Sequence, residues 1–169
     1  YEERMPAPAE VAERASERVY RWEARDLAAL PNEPRGPALT EVAPYVHVST
    51  FADWQEIGRW YADLIRPQLA LDSALREQLA GILARKKTDT ETINAIHQFV
   101  LRNTHYVALE FGIYSYKPYP VTQVYARRFG DCKDKASLMI ALLRAAGVEA
   151  EIALVRTRRL GDVGVQAVS

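Results

Sequence analysis

The spacing of apolar side chains changes at about residue 52, and this change constrains the fold more than any other feature of the chain. Downstream of it, Trp54, Ile57, Tyr61, Leu64 and Ile65 recur at helical intervals. Leu71, Leu75, Leu79, Ile82 and Leu83 do the same, and so do Ile93, Ile96, Val100 and Leu101. Three amphipathic helices in succession are predicted, and Thr88 with Glu91 fits a capping box that starts the third. Upstream, residues 18–25 alternate, with Tyr20, Trp22 and Ala24 on one face and Arg21, Glu23 and Arg25 on the other. Residues 42–49 are also read as extended, carrying Val42, Val46 and Val48, and the loop chemistry of Pro31, Asn32, Pro34, Gly36 and Pro37 precedes them. The polar stretch 1–16, with Pro6 and Pro8, is read as a tail or a short helix. Two strands do not make a stable sheet alone. They are read as the end of a β-rich domain, or as strands that pair with neighbours elsewhere.

Composition sets the limits of function. The 169 residues are 49% hydrophobic and 26% charged, enough to bury a core without a covalent staple. Length favours one domain, or one domain and part of another. The 22 basic and 22 acidic residues cancel, which removes a general electrostatic grip on nucleic acid or an anionic membrane. No apolar run is long enough for a transmembrane helix. The single cysteine, Cys132, excludes an internal disulfide and any zinc site built on two thiolates. The three histidines have no metal-ligand spacing, so neither a metal nor an organic cofactor is implied.

After the three helical stripes the sequence predicts a short strand at 105–110, then a tyrosine-rich loop at 111–120 with Gly112, Pro118 and Pro120, then a short helix at about 121–128. Gly130-Asp131-Cys132-Lys133-Asp134-Lys135-Ala136 opens a further helix through Leu138, Leu142 and Ala145, which Gly147 stops. Residues 148–157 then alternate, with Val148, Ala150, Ile152 and Leu154 facing one way and Glu149 and Glu151 the other.

Cys132 therefore falls at a helix start. Unsatisfied N–H groups and the positive end of the helix dipole favour a thiolate there. Lys133, Lys135, Arg127 and Arg128 are close enough in sequence to add to the effect. The N–H of Cys132 itself is a candidate donor to an oxyanion, and Gly130 allows a sharp turn with room for substrate. Most free cysteines are simply small buried hydrophobes, but the charged neighbours Asp131, Lys133, Asp134 and Lys135 point to a helix entrance near solvent. Asp131 and Asp134 are read as helix caps in preference to acid/base groups. Tyr114, Tyr116 and Tyr119 either line a cleft or pack over the helix, and Gln123 is either an oxyanion donor or an exposed helix residue. His97 is read as half-buried packing, His105 as a helix C-cap and His47 as a strand residue. Trp54, Trp60 and Tyr61 are read as core anchors, and Arg156, Arg158 and Arg159 as a solvated strand end.

The run from Gly130 to Ala136, continuing through Leu138-Met139-Ile140-Ala141-Leu142-Leu143-Arg144-Ala145-Ala146-Gly147-Val148, resembles the core motif of the transglutaminase-like superfamily. Tyr106-Val107-Ala108-Leu109-Glu110-Phe111-Gly112 and the Tyr116-Lys117-Pro118 loop resemble a bacterial branch in which this domain follows a β-rich domain of unknown function. Tyr20-Arg21-Trp22-Glu23-Ala24-Arg25-Asp26-Leu27 and Val48-Ser49-Thr50-Phe51-Ala52-Asp53-Trp54 resemble the end of that preceding domain. The resemblance implies an α+β, papain-like fold, with the nucleophile on a central helix packed against an antiparallel sheet. The expected division is residues 1–50 for the end of the β-rich domain and 51–169 for the transglutaminase-like domain.

The activity implied is cysteine-dependent acyl transfer or amide hydrolysis of a peptide or protein through a thioester on Cys132, with hydrolysis favoured. Gly130, Asp131 and Asp134 form the supporting turn and cap, and Tyr116, Tyr119 and Gln123 are cleft or oxyanion candidates. The family's histidine and aspartate follow the strand at 148–157. Here no histidine follows His105, and Asp162 is too early for the aspartate. The chain starts at Tyr1 and ends soon after a strand-like stretch, so it is read as an excerpt whose partners lie beyond Ser169. A periplasmic or surface location follows from the resemblance alone. The alternative is a catalytically silent module of the same fold that binds a peptide or cell-wall fragment, and a third reading is a purely structural interaction domain.

Overall fold

A computed structural model describes residues 7–30, 36–46, 49–85 and 88–155. The chain forms two compact units, residues 1–57 with 154–169, and residues 58–153.

In the first unit β1 (Glu10–Arg14) pairs antiparallel with β2 (Glu17–Arg21). The stretch expected as a tail or short helix thus contains a strand, and the strand expected over 18–25 closes at Arg21. The hairpin was illegible because its two-residue turn is Ala15-Ser16, with Ala15 at φ 46°. Such turns ordinarily announce themselves with Asn-Gly or Asp-Gly, which tolerate positive φ. Tyr20 and Trp22 share a face, their rings stacked at 5.8 Å. The strand expected at 42–49 does not form. Val42 ends a one-turn helix, α1 (Leu39–Val42), and Ala43–Val46 has no regular structure. His47 and Val48 lie outside the described residues, as do Arg156, Arg158, Arg159 and Asp162. Alternating β-branched residues signal a strand only where a neighbour supplies the ladder.

The helices follow from their caps. In α2 (Trp54–Ile65), the Asp53 carboxylate accepts from the Glu56 N–H at 2.7 Å. In α3 (Ser73–Leu83), Asp72 accepts from the Leu75 N–H at 2.8 Å. In α4 (Asp89–Asn103), Thr88 and Glu91 complete the reciprocal box their spacing predicts. Then come β3 (His105–Tyr106), α5 (Val121–Arg127), β4 (Phe129–Gly130) and α6 (Cys132–Ala145). The strand expected over 105–110 is only the two residues of β3, which pair with β4 in parallel. Gly147, at φ 83°, ends α6 as predicted.

The second unit closes around α6. Leu138, Leu142, Ala141 and Leu143 of this helix meet Leu75 and Leu79 of α3, Ile96 and Val100 of α4, and Val121 and Val124 of α5 in one buried cluster. The mixed helix and strand content bears out an α+β fold with α6 central. The antiparallel sheet expected against α6 is not found among the described residues. Strand pairing in this unit is the parallel β3–β4 pair, and α6 packs on helices. Residues 148–155 carry no strand pairing, and the expected alternation holds only in part: Val148, Ala150 and Ile152 are half-buried and Glu149 and Glu151 exposed, but Leu154, expected on the apolar face, is exposed. Trp54 and Trp60 are not core anchors, since both are exposed, whereas Tyr61 is buried. Among the described residues no helix is long and apolar enough to cross a membrane.

The third helical stripe is half right. Ile96 is 0% exposed and Val100 is buried, but Leu101 is 49% exposed, because α4 buries the i, i+4, i+8 row of Thr92, Ile96 and Val100. Ile96→Ala is therefore expected to cost about 2–5 kcal/mol in urea unfolding, and Leu101→Ala less than about 1 kcal/mol.

Candidate active site

Cys132 is the first residue of α6, and its thiol is exposed. The turn beneath it is buried and fully ordered by hydrogen bonds. The Asp131 carboxylate accepts from the Asp134 N–H, and the Asp134 carboxylate accepts from the Asp131 N–H at 3.3 Å. Asp134 does more than cap. Its Oδ1 accepts from the Tyr119 N–H at 2.8 Å, and its Oδ2 accepts from the Arg127 guanidinium at 2.8 Å. The Arg127 Nε donates to the Phe129 carbonyl at 2.8 Å, and its guanidinium lies over the Tyr119 ring at 4.2 Å and the Phe129 ring at 4.8 Å. One carboxylate thus joins the 111–120 loop, the end of α5, β4 and the first turn of α6. Burial, and then the Asp131 charge, push the Asp134 carboxyl above the usual range, against the pull of Tyr119, the Asp131 N–H and Arg127.

Gly130 serves this junction, though not for the reason expected. Its φ is not positive, so no tight turn requires it. A Cβ there would lie 2.6 Å from the Asp134 Cβ and 2.8 Å from Oδ2. Close approach of β4 to the buried carboxylate is what demands glycine.

Three of the four basic residues expected to assist the thiolate are committed elsewhere. Lys133 is buried and paired with Asp131. Arg127 is paired with Asp134, and Lys135 donates to the Thr104 carbonyl at 2.8 Å, tying α6 to the end of α4. Arg128 is exposed at the left-handed C-cap of α5, φ 60°.

Two tyrosines that the sequence did not single out for chemistry lie beside Cys132. Tyr106 and Tyr61 are each electrostatic neighbours of both Cys132 and Asp131. The charge of Cys132, followed by partial burial, Glu110 and Asp131, pushes the Tyr106 phenol up. Burial, followed by Cys132 and Asp131, does so for Tyr61. Tyr106 is aimed by the β3–β4 pairing: it stands opposite Gly130, and the Val107 N–H donates to the Gly130 carbonyl at 3.0 Å. The signal for Tyr106 was only its place in a short apolar segment, and the contact depends on a pairing across 24 residues of chain.

The remaining candidates separate. The exposed Tyr116 is linked to this group, because its carbonyl accepts from the Tyr61 hydroxyl at 3.0 Å and its ring lies 5.6 Å from Trp60. Tyr119 belongs to the Asp134 junction, stacked on Tyr114 at 4.0 Å. Gln123 is exposed on α5, with no side-chain hydrogen bond among those of the described residues. His97 is exposed rather than half-buried, and His105 is a β3 residue rather than a cap, the cap of α4 being Thr104. Because neighbouring strand residues face opposite ways, His105 does not share the face of Tyr106 on β3.

The family model of the transglutaminase-like superfamily matches residues 76–167. The chain belongs to this superfamily. The match runs through α4, α5 and α6 and includes Tyr106, Gly130, Asp131, Cys132 and Asp134. No curated protein and no solved structure matches the chain. Membership supports a cysteine-based acyltransferase or protease role at the level of the superfamily.

Arg127 is the counter-charge of a fully buried carboxylate, so Arg127→Leu is expected to destabilise the chain by about 3–5 kcal/mol at pH 7. The sign of its pH dependence is also fixed. Without Arg127 the Asp134 carboxyl rises further, and a raised carboxyl favours the folded state below its unfolded value and loses that contribution as pH rises. The deficit should therefore shrink on acidification. Urea unfolding at pH 7 and pH 4.5 reads this directly.

Proposed function

We propose that Cys132 is the nucleophile of a cysteine-dependent acyl transfer or amide hydrolysis on a peptide or protein substrate, with hydrolysis favoured. The observation that carries the reading is an exposed thiol at the start of a central helix whose first turn is locked by two buried carboxylates, in a chain of this superfamily. A nucleophile must be accessible and held still. Cys132 meets both conditions, since solvent reaches the sulfur while Asp131 and Asp134 beneath it are immobilised by the cap and by Lys133 and Arg127.

The sulfur attacks the carbonyl carbon of an amide. A C–S bond forms, and the carbonyl electron pair moves to oxygen. The capping box engages the N–H groups of Asp131 and Asp134, so the Cys132 N–H lies outside the box and is directed at the helix entrance, where the oxyanion forms. Collapse breaks the C–N bond, the amine leaves with a proton, and a thioester remains on Cys132. Water or an amine then attacks the thioester and regenerates the sulfur nucleophile. The group that takes the thiol proton and returns it to the leaving amine is not found beside Cys132 among the described residues. The histidine and aspartate of the superfamily pattern would supply it. Residues 1–50 belong in this reading to the end of a β-rich domain and 51–169 to the transglutaminase-like domain.

The test uses the single thiol. Reaction with the p-nitrophenyl ester of an N-acyl amino acid is expected to release one p-nitrophenol per chain and leave an acyl adduct on Cys132, seen by intact mass and removed by hydroxylamine. Cys132→Ser should form no hydroxylamine-labile adduct. A folded chain that forms no adduct and reacts with iodoacetamide far more slowly than the denatured chain overturns the reading and favours a silent binding module.

A further inference from the structure

β3 has two edges, and β4 takes only one of them. The His105 N–H donates to the Arg128 carbonyl at 2.9 Å and the Val107 N–H to the Gly130 carbonyl at 3.0 Å. Backbone groups alternate between the two edges of an extended chain, so Thr104 and Tyr106 turn theirs to the outer edge. Thr104 is extended, with φ −135° and ψ 121°, and its carbonyl there accepts from the Lys135 Nζ at 2.8 Å. Among the described residues no hydrogen bond engages the N–H or the C=O of Tyr106. His105, Tyr106, Val107 and Ala108 are all exposed. An open edge of this kind is a template for a further strand. The outer edge also lies on the side of Cys132. Lys135, which reaches the outward Thr104 carbonyl, stands three residues after Cys132 on the same face of α6. Tyr106 is opposite Gly130, two residues before Cys132. With paired strands about 4.8 Å apart and successive Cα atoms about 3.8 Å apart, Tyr106 and Cys132 are separated by at most about 12 Å. That is the reach of about four extended residues.

We infer that the outer edge of β3 at Tyr106 docks an extended peptide substrate, which adds as a strand while its reacting carbonyl sits on Cys132. The inference rests on the assignment of Cys132 as nucleophile. One residue of the peptide donates its N–H to the Tyr106 carbonyl and accepts the Tyr106 N–H on its own carbonyl. A donor and an acceptor at this spacing match an extended main chain, which selects a peptide over a glycan or an acyl chain. A second copy of the chain is a poor occupant. The edge is closed at Thr104 by Lys135, and a two-residue strand is too short to hold two sheets together. A peptide is also anchored at Cys132, so a short edge suffices for it. Because the bonds are to backbone, docking tolerates many side chains and requires an extended substrate.

N-acetyl-tetraalanyl chloromethyl ketone and chloroacetone test this, because they share a reacting group and only the first carries a main chain. The sulfur displaces chloride: one C–S bond forms, one C–Cl bond breaks, and the thiol proton passes to solvent. Labelling of Cys132 is read by intact mass, and each rate is divided by that of the same reagent with glutathione. The peptide is expected to label about tenfold faster than chloroacetone on this scale. Replacing one amide N–H of the probe by an ester oxygen should slow labelling roughly fivefold at one position and leave its neighbours unchanged, since backbone groups alternate. Tyr106→Pro removes only the outward N–H, and Tyr106→Ala keeps it. The advantage of the peptide should be roughly fivefold smaller in Tyr106→Pro than in Tyr106→Ala. The ester series needs no variant and decides the matter if Tyr106→Pro does not fold. No advantage of the peptide on the unaltered chain overturns the inference. So do equal rates across the ester series, equal behaviour of a folded Tyr106→Pro and Tyr106→Ala, or a dimer that Tyr106→Pro abolishes, which gives the edge to a second copy. Failure of chloroacetone to label the folded chain is a different result. It overturns Cys132 as nucleophile, and the inference with it.

Discussion

The Asp134 carboxylate is the point on which the second unit depends. It is fully buried, and it can be ionised there only because three donors from three segments converge on it: the Tyr119 N–H, the Asp131 N–H and the Arg127 guanidinium. The donors stand in the 111–120 loop, at the last residue of α5 and at the Asp131 cap between β4 and α6, so the carboxylate fixes the junctions between elements rather than the elements themselves. The charge enforces this, since a misplaced donor would leave a buried anion short of partners. Gly130 completes the arrangement by leaving no Cβ between β4 and the carboxylate.

The same junction decides what Cys132 meets. Helix starts are rich in charge because acidic residues complement the dipole and satisfy orphan N–H groups. Here those charges are turned inward and cancelled in pairs, Asp131 with Lys133 and Asp134 with Arg127. The exposed side of this entrance carries Cys132 itself and, across the β3–β4 pairing, Tyr106, which is 61% exposed.

Much of the second unit was legible because its signals are local. The Thr88–Glu91 box, the Gly147 stop and the apolar rows of α3 and α6 depend on residues within a few turns of one another. The strands were read poorly, because a strand is defined by its neighbour. Residues 42–46 and 148–155 alternate in sequence and form no ladder, whereas 10–14, which looked like a tail, pairs through an Ala15-Ser16 turn without glycine or asparagine. Burial within the stripes was also beyond reach. Ile96 and Leu101 are equally apolar, and only the packing of α6 and α3 against α4 chooses between them.

The sequence by itself determined a central helix opened by Cys132, capped by Asp131 and Asp134 and stopped by Gly147, because capping and helix termination act over a single turn. It also determined membership of the transglutaminase-like superfamily, which is carried by that same contiguous run. Only the tertiary structure decided that the lysines and Arg127 serve the carboxylates rather than the thiol, and that Tyr61 and Tyr106 stand beside the sulfur. Those relations join residues far apart in the chain. They arise from parallel β3–β4 pairing and from the burial of Asp134, neither of which leaves a periodic trace in the order of amino acids.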